Sequence, residues 1–297
     1  MANQAAPAVK CAGLTKDYGD GHGLFDLDLE IMRGESFGLI GPNGAGKTTM
    51  IRLLMDLIRP TRGSVEVFGL DAHADSLEVK RRVGYLTGEL PQFPGMTADY
   101  IVTLLAGLRG GVERERITAL ADRLELDLTR RYEDLSHGNK QKVGIVQAFM
   151  HQPQLLVLDE PTLGLDPLMQ REFRSLVAEA LAGGATVLLS SHVLSEVQQA
   201  CNRMGLIHQG RLRKVGTLQE LREVRAHRVT AVLNGGKLET PTHLPNVLNA
   251  SLSGGTLTCE VHGSVDPLLK WLAQYDVLEL DVSEMSLEEV FLHEVAT

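Results

Sequence analysis

Gly41-Pro42-Asn43-Gly44-Ala45-Gly46-Lys47-Thr48 is the stretch on which the reading of this chain turns. A short apolar run, Phe37 to Ile40, precedes it and reads as a buried strand. From Lys47 to Ile58 a helix is predicted, because Ile51, Leu54, Met55 and Ile58 recur at the helical period. Strand, glycine loop and helix in that order form the context of a phosphate-binding loop. Glycines let successive backbone N–H groups turn inward around phosphate oxygens without Cβ clashes. The helix N-terminus adds free N–H groups and partial positive charge. Lys47 can reach the β- and γ-phosphates, and the Thr48 hydroxyl can ligate Mg²⁺. The stretch therefore predicts a nucleoside triphosphate site.

Working outward, 297 residues suffice for two domains or for one with an appendage. Hydrophobic residues make up 43% of the chain, which excludes wholesale disorder. The formal charge of −9 and the absence of a long basic block argue against a general nucleic-acid surface. Lys80-Arg81-Arg82 and Arg211 to Lys214 read as solvated faces. Three widely separated cysteines, Cys11, Cys201 and Cys259, lack metal-ligand spacing and fit a reduced compartment. MANQAAPAVK has no apolar h-region, so no signal peptide is expected. No apolar run approaches the ~20 residues that span a bilayer. A membrane role would have to come through a partner chain.

Val9 to Leu14 reads as a strand ending at a turn, Lys16 to Gly19, and Phe25 to Ile31 as a second strand. Pro60 is expected to stop the first helix, and Ser64 to Phe68 alternates as a strand. Residues 90 to about 150 read as an inserted helical block. Thr97 caps a helix there, Gly110-Gly111 breaks it, a second carries Ile117, Leu120 and Leu124, and a third ends near Met150. Leu155 to Leu158 is a strand buried on both faces, followed by a helix over Pro167–Ala182 that Gly183-Gly184 terminates. Thr186 to Leu189 is another buried strand. Leu206 to Val215 reads as a hairpin around Gln209-Gly210, and Thr217 to Glu220 as a capping box. Beyond about Val224 lie strands at Val229–Leu233, Leu257–Val261 and Val277–Val282, a helix at Pro267–Tyr275, and a last capped helix from Ser286.

An acidic residue ending a hydrophobic strand, far downstream of a phosphate loop, completes an NTPase plan. Asp159 would hold Mg²⁺ directly or through water, and Glu160 would orient or deprotonate the attacking water.

With these residues in place, the chain resembles the nucleotide-binding subunit of an ABC transporter over about residues 8 to 222. Gly41 to Thr48 match the Walker A loop and Thr49 its following hydroxyl, with Asn43, Gly44 and Gly46 inside it. Tyr18 matches the aromatic that stacks on adenine; a strand-end aromatic packing on the core is the alternative. Ser136, Gly138 and Asn139 match the signature motif, Leu155 to Asp159 the Walker B strand, and Glu160 the catalytic base. Asp166 matches the D-loop, where it also has the place of a helix N-cap before Pro167. His192 matches the switch histidine. The signature before Walker B and the histidine after it are close to diagnostic.

The resemblance implies an α/β fold with a P-loop NTPase (RecA-like) core. An N-terminal antiparallel β subdomain, an inserted helical subdomain and a small C-terminal α+β domain join it. Residues 1–223 would be the ATPase domain and 224–297 an accessory domain. It also implies ATP and Mg²⁺ as ligands and a second ATPase subunit, expected to be a second copy, with two ATP molecules held head to tail. A separate polytopic permease would complete the complex at the cytoplasmic face of the cell membrane, with no nucleic acid. The tail segment Ser286-Leu287-Glu288-Glu289-Val290-Phe291 and the sequence around Gly138-Asn139 resemble the drug-, antibiotic- and lipid-export branch. A soluble ABC ATPase acting on nucleic acid, ribosomes or assembly is the other reading. Against it stand the single ATPase domain, the acidic charge and the lack of long coiled coils.

Two departures from the family pattern stand out. The signature reads Ser-His-Gly-Asn, which keeps the serine and second glycine but shortens the last amide. The Q-loop reads Thr87-Gly88-Glu89, so Gly88 stands near the expected glutamine; either Glu89 replaces it as a ligand for Mg²⁺ or water, or that ligand is missing.

Overall fold

Residues 6–222, 226–234 and 239–285 are described by the structure, a computed structural model. The chain opens on a hairpin of β1 (Val9–Gly19) and β2 (His22–Ile31). The turn is Asp20-Gly21, with φ of 52° and 76°, the two left-handed residues of a tight hairpin. The strand expected to stop at Leu14 thus runs through the expected turn to Gly19. β3 (Ser36–Ile40) follows, buried at all five positions. α1 (Lys47–Leu54) is one turn shorter than its apolar period suggests. Asp56 takes φ 51°. Its N–H bonds Leu53 O, and Leu57 N–H bonds Arg52 O. Those two bonds make a Schellman close before Pro60 is reached. Ile58 still packs against the core, which explains the misleading period.

β4 (Arg62–Val67) and β5 (Leu70–Asp71) complete a four-stranded antiparallel sheet in the order β2-β1-β4-β5. After α2 (Ser76–Arg82) and β6 (Val83–Leu86) come the three inserted helices, α3 (Ala98–Leu108), α4 (Arg114–Arg123) and α5 (His137–Phe149). Thr97 caps α3 by accepting from Tyr100 N–H. The chain returns through β7 (Leu155–Asp159), α6 (Pro167–Ala182), β8 (Thr186–Ser191), α7 (Leu194–Ala200), and the hairpin β9 (Arg203–His208) and β10 (Arg211–Thr217). α7 was not expected, because its seven residues carry only Leu194 and Val197 to the core.

The second sheet has the order β10-β9-β3-β8-β7-β6, with β9, β3, β8, β7 and β6 parallel. β3, β7 and β8 are buried throughout, as strands covered on both faces must be. Phe149 at the end of α5 meets Phe173 of α6 edge to face, with ring centroids 6.3 Å apart. Phe173 is fully buried. Phe173→Ala is expected to cost about 3–5 kcal/mol, as removing a buried aromatic does. Urea denaturation followed by circular dichroism checks this, and a loss below about 1 kcal/mol would mean that the site collapses on itself.

The chain divides into two compact units, Met1–Val215 and Gly216–Thr297. The second begins with α8 (Leu218–Arg222), entered through the expected capping box. Glu220 N–H donates to Thr217 Oγ1 at 3.2 Å, and Thr217 N–H to Glu220 Oε2 at 2.8 Å. β11 (Ala226–Asn234), β12 (Val247–Ser253), β13 (Thr256–His262), α9 (Asp266–Leu272) and β14 (Asp276–Glu284) follow. The antiparallel order is β12-β13-β11-β14. Alternate residues Val229, Ala231 and Leu233, with Leu257, Cys259 and Val261, pack with Leu268, Trp271 and Leu272 of α9. The sequence reading missed β12, in which Asn249 takes φ 48° and the register slips. The helix expected from Ser286 lies outside the described residues. No helix among the described residues is long and apolar enough to cross a membrane.

Candidate functional site

β3, β8 and β7 lie side by side and parallel, so the loops leaving their C-terminal ends converge. That edge of an open α/β sheet is where ligands bind. The loop from Gly41 to Gly46 leaves β3 and wraps into α1. A Cβ on Gly41 would stand 2.2 Å from Ile207 O, so only glycine allows β9 to pass this close. Gly44 and Gly46 hold φ of 78° and 110°, which glycine adopts without strain. Gly210 N–H donates to Ala45 O at 2.9 Å, so the β9–β10 turn backs the loop from behind. Asn43 and Gly44 stay exposed at its crest.

Lys47 is 5% exposed, and its Nζ donates to Gly41 O at 2.6 Å and to Pro42 O at 3.2 Å. It also faces Glu160 Oε1 at 3.4 Å. The hydroxyl of Thr48 donates to Asp159 Oδ2 at 3.0 Å, with half-buried Thr49 beside it. Ser190 Oγ holds the other Asp159 oxygen. A hydroxyl and a carboxylate this close offer hard oxygen donors of the kind Mg²⁺ takes.

Glu160 sits at φ 49°, a backbone state that costs a non-glycine residue of order 1–3 kcal/mol and concentrates at functional sites. Its N–H donates to Ser190 O and Oγ, both at 3.2 Å. Its carbonyl accepts from Gln141 Nε2 at 3.1 Å, and the same amide reaches Pro161 O at 3.0 Å. Gln141 is 2% exposed within α5 and ties the signature helix to the turn that carries Glu160. Sequence reading passed over Gln141, because a polar residue inside a helix does not reveal which carbonyls it will meet. His192 follows β8, and its Nδ1 lies 2.9 Å from Glu160 Oε2.

Lys47, Thr48, Asp159, Glu160 and His192 therefore form one contact network. Ser136, Gly138 and Asn139 lie apart from it. Ser136 caps α5 by accepting from Asn139 N–H at 3.3 Å. A Cβ on Gly138 would be 2.4 Å from Gly164 O, so the signature turn rests against the loop before α6. Asp166 caps α6 and accepts from Leu168 and Met169 N–H, each at 3.0 Å. Tyr18 is 56% exposed on β1, with Lys16 Nζ 5.5 Å from its ring centroid. Glu89 pairs with Arg52 at 3.1 Å. A Cβ on Gly88 would come within 3.1 Å of Asp159 Oδ2, so the Q-loop backbone passes directly over that carboxylate.

Residues 24–163 match the family model for ABC transporters. The chain is 38% identical over 208 residues to a bacitracin transport ATP-binding protein of Bacillus licheniformis, covering 69% of this chain and 68% of that one. It is 33% identical over 288 residues to a Nod factor export ATP-binding protein of Cupriavidus pinatubonensis, covering 93% and 87%. A dimeric ATP-binding cassette in a post-hydrolysis state, bound to ADP and phosphate, superposes with a TM-score of 0.65 at 25% identity. That likeness covers 71% of this chain and 98% of the cassette.

Proposed function

This chain belongs to the family of ABC transporter ATP-binding proteins, and we propose that it drives an exporter whose permease is a separate membrane protein. It binds and hydrolyses ATP, as the family does. The export direction rests on the relatedness, along most of the chain, to a protein named for Nod factor export. The place of work follows from the partner, at the cytoplasmic face of the membrane.

The network that joins Lys47, Glu160 and His192 to Thr48 and Asp159 carries the assignment of roles. Lys47 gives up its carbonyl partners to the β- and γ-phosphates. Backbone N–H groups of Gly44 and Gly46 cradle the same oxygens. Thr48 and Asp159 would hold Mg²⁺, which when bound neutralises charge across the β- and γ-phosphates. Water attacks the γ-phosphorus, the bond to the bridging oxygen breaks, and ADP and phosphate leave. Glu160 takes the proton of that water. His192 steadies the Glu160 carboxylate through Nδ1 and leaves its other ring nitrogen for the γ-phosphate. Tyr18 offers its exposed face to the adenine.

Ser136, Gly138 and Asn139 serve the ATP of a second copy. Among the described residues no hydrogen bond joins them to their own phosphate loop, while their helix N-terminus suits an anion. A head-to-tail dimer brings the two halves together.

Glu89 is a second, outer ligand. Its exposed pair with Arg52, one helical turn beyond Thr48, is weak enough to release toward the metal. Glu89→Gln is expected to raise the Mg²⁺ concentration for half-maximal ATPase by about tenfold, as loss of outer-shell partners does. Metal-free nucleotide binding should stay unchanged. An unaltered Mg²⁺ titration would leave Glu89 with Arg52 alone.

Between the Q-loop and α3 and α5 lies an apolar groove of about 220 Å³, lined by Tyr85, Leu90, Phe93, Leu105 and Tyr132. Such a groove takes an apolar helix face, and we assign it to a cytoplasmic helix of the permease. Purification from native membranes in mild detergent tests the assignment. A stoichiometric polytopic membrane protein is expected. Recovery of the chain with ribosomes or nucleic acid only would overturn it.

A further inference from the structure

A second cleft, of about 830 Å³, adjoins that groove, and Leu105 and Gln147 line both. Its walls carry Lys80, Arg81, Arg109 and Arg116 against a single acid, Glu113. This local excess runs against a chain whose net charge is −9. Lys80-Arg81-Arg82, read from sequence as one solvated face, is divided by the fold. Arg82 turns back onto Glu78 at 2.7 Å, and Arg81 lies 3.5 Å from the same carboxylate. Lys80 lines the cleft and has no ion-pair partner among the described residues.

The two deeper arginines are fixed by neutral acceptors. Arg109 Nη1 donates to Val83 O at 3.1 Å and Lys80 O at 3.3 Å, and lies 2.8 Å from His151 Nε2. Burial, and then the Arg109 charge, push His151 down to about 4, so it is neutral near pH 7. Arg116 Nε donates to Met150 O at 2.8 Å. Among the described residues neither guanidinium forms an ion pair with a carboxylate. Among the described residues Arg109 has no acid acting on it and Arg116 has only the longer-range pull of Glu113, so two half-buried, oriented cations share one acid and leave a place for an anion from elsewhere. The planar guanidinium matches a carboxylate in particular. At the cleft, Leu77 and Leu108 stand 78% and 77% exposed. A ligand for this place is both acidic and apolar.

We propose that this cleft binds an acidic, apolar-flanked segment of the same membrane protein whose helix occupies the adjoining groove. The inference rests on the permease reading above and adds the chemistry of a second docking element. Anionic lipid is the lesser fit, because headgroup binding uses basic residues clustered on an open surface, whereas these guanidiniums sit within walls.

Cross-linking from single cysteines tests it in the full chain. The native thiols do not interfere: burial pushes Cys11 and Cys201 up to about 12 and Cys259 up to about 11. A benzophenone probe is attached at Leu108→Cys in the cleft, or at Pro91→Cys in the groove, and cross-linked in native membranes. Both probes are expected to mark one polytopic protein, the Leu108 probe on a peptide rich in Asp and Glu. Adding Lys80→Glu and Arg81→Glu should cut the cleft cross-link about tenfold, since like charges now face each other. The groove cross-link and basal ATPase should not change. Cross-links from the cleft to lipid, to a segment without acids, or unaffected by the charge reversals would overturn the inference. So would a membrane protein marked from the groove but not from the cleft, which leaves the permease reading standing. If neither probe marks a membrane protein, the permease reading fails and the cleft assignment falls with it.

Discussion

Glu160→Gln is expected to bind ATP as the wild type does, to lose turnover by about 10²–10⁴-fold, and to accumulate as an ATP-bound dimer. The backbone at Glu160 is set by groups the substitution leaves alone. Ser190 holds its N–H and Gln141 its carbonyl. The carboxylate lies between Lys47 and His192. A glutamine amide fills the same volume between the same neighbours but cannot accept a proton from water. At about 1.4 kcal/mol per decade, the loss equals roughly 3–5 kcal/mol of transition-state stabilisation. Phosphate release gives the rate, fluorescent-nucleotide titration the affinity, and light scattering with and without ATP the mass. Hydrolysis at the wild-type rate would remove Glu160 from the role of base. Lost rate with lost affinity would make it a binding residue.

The parts of this chain that could be read from sequence are those whose determinants lie close together in it. α6 runs from Pro167 to Ala182 as expected, because Asp166 caps it, Pro167 suits its first turn and Gly183-Gly184 closes it. Thr217 and Glu220 cap each other three residues apart. The phosphate loop was legible because a fully buried strand and a helix bracket its glycines. What was hidden depends on residues far away in sequence. α1 ends early because of a left-handed Asp56, a choice that the apolar period of Ile51, Leu54 and Ile58 masks. Gln141 looks like any helical polar residue until α5 is laid against the Glu160–Pro161 turn. Glu89 shows the same limit from the other side. Its neighbour Gly88 is explained by Asp159, seventy-one positions on, whose carboxylate leaves little room for a side chain. The signature glycine belongs here too: sequence gives it to a phosphate, and the fold adds a neighbouring backbone.

Gly138→Ala therefore carries an expectation opposite to that of Glu160→Gln. Its new methyl would stand 2.4 Å from Gly164 O, a backbone atom. Gly164 cannot simply retreat. It holds φ 78°, and His137 Cδ2 already lies 2.6 Å from where its own Cβ would be. Either the first turn of α5 or the loop leading to Asp166 must move, by more than a side-chain rotation. Overpacking of this kind costs about 1–3 kcal/mol, so the chain should still fold. ATP affinity should hold, since Lys47 and Thr48 are untouched. Turnover should fall about 10²–10³-fold, as when preorganised donors to a phosphoryl group are displaced. In the double variant with Glu160→Gln, ATP should no longer produce the dimer mass. Gly144→Ala supplies the control on the same helix. Its methyl meets only the tip of the Leu86 side chain, at 2.5 Å from Cδ1, which can rotate away. It shares the overpacking of α5 without disturbing the helix N-terminus, so dimerisation and turnover should survive. If Gly138→Ala keeps both, the N-terminus of α5 has no part in the second copy's ATP site. If Gly144→Ala loses both, the defect lies in α5 packing and not in the contact of Gly138 with Gly164.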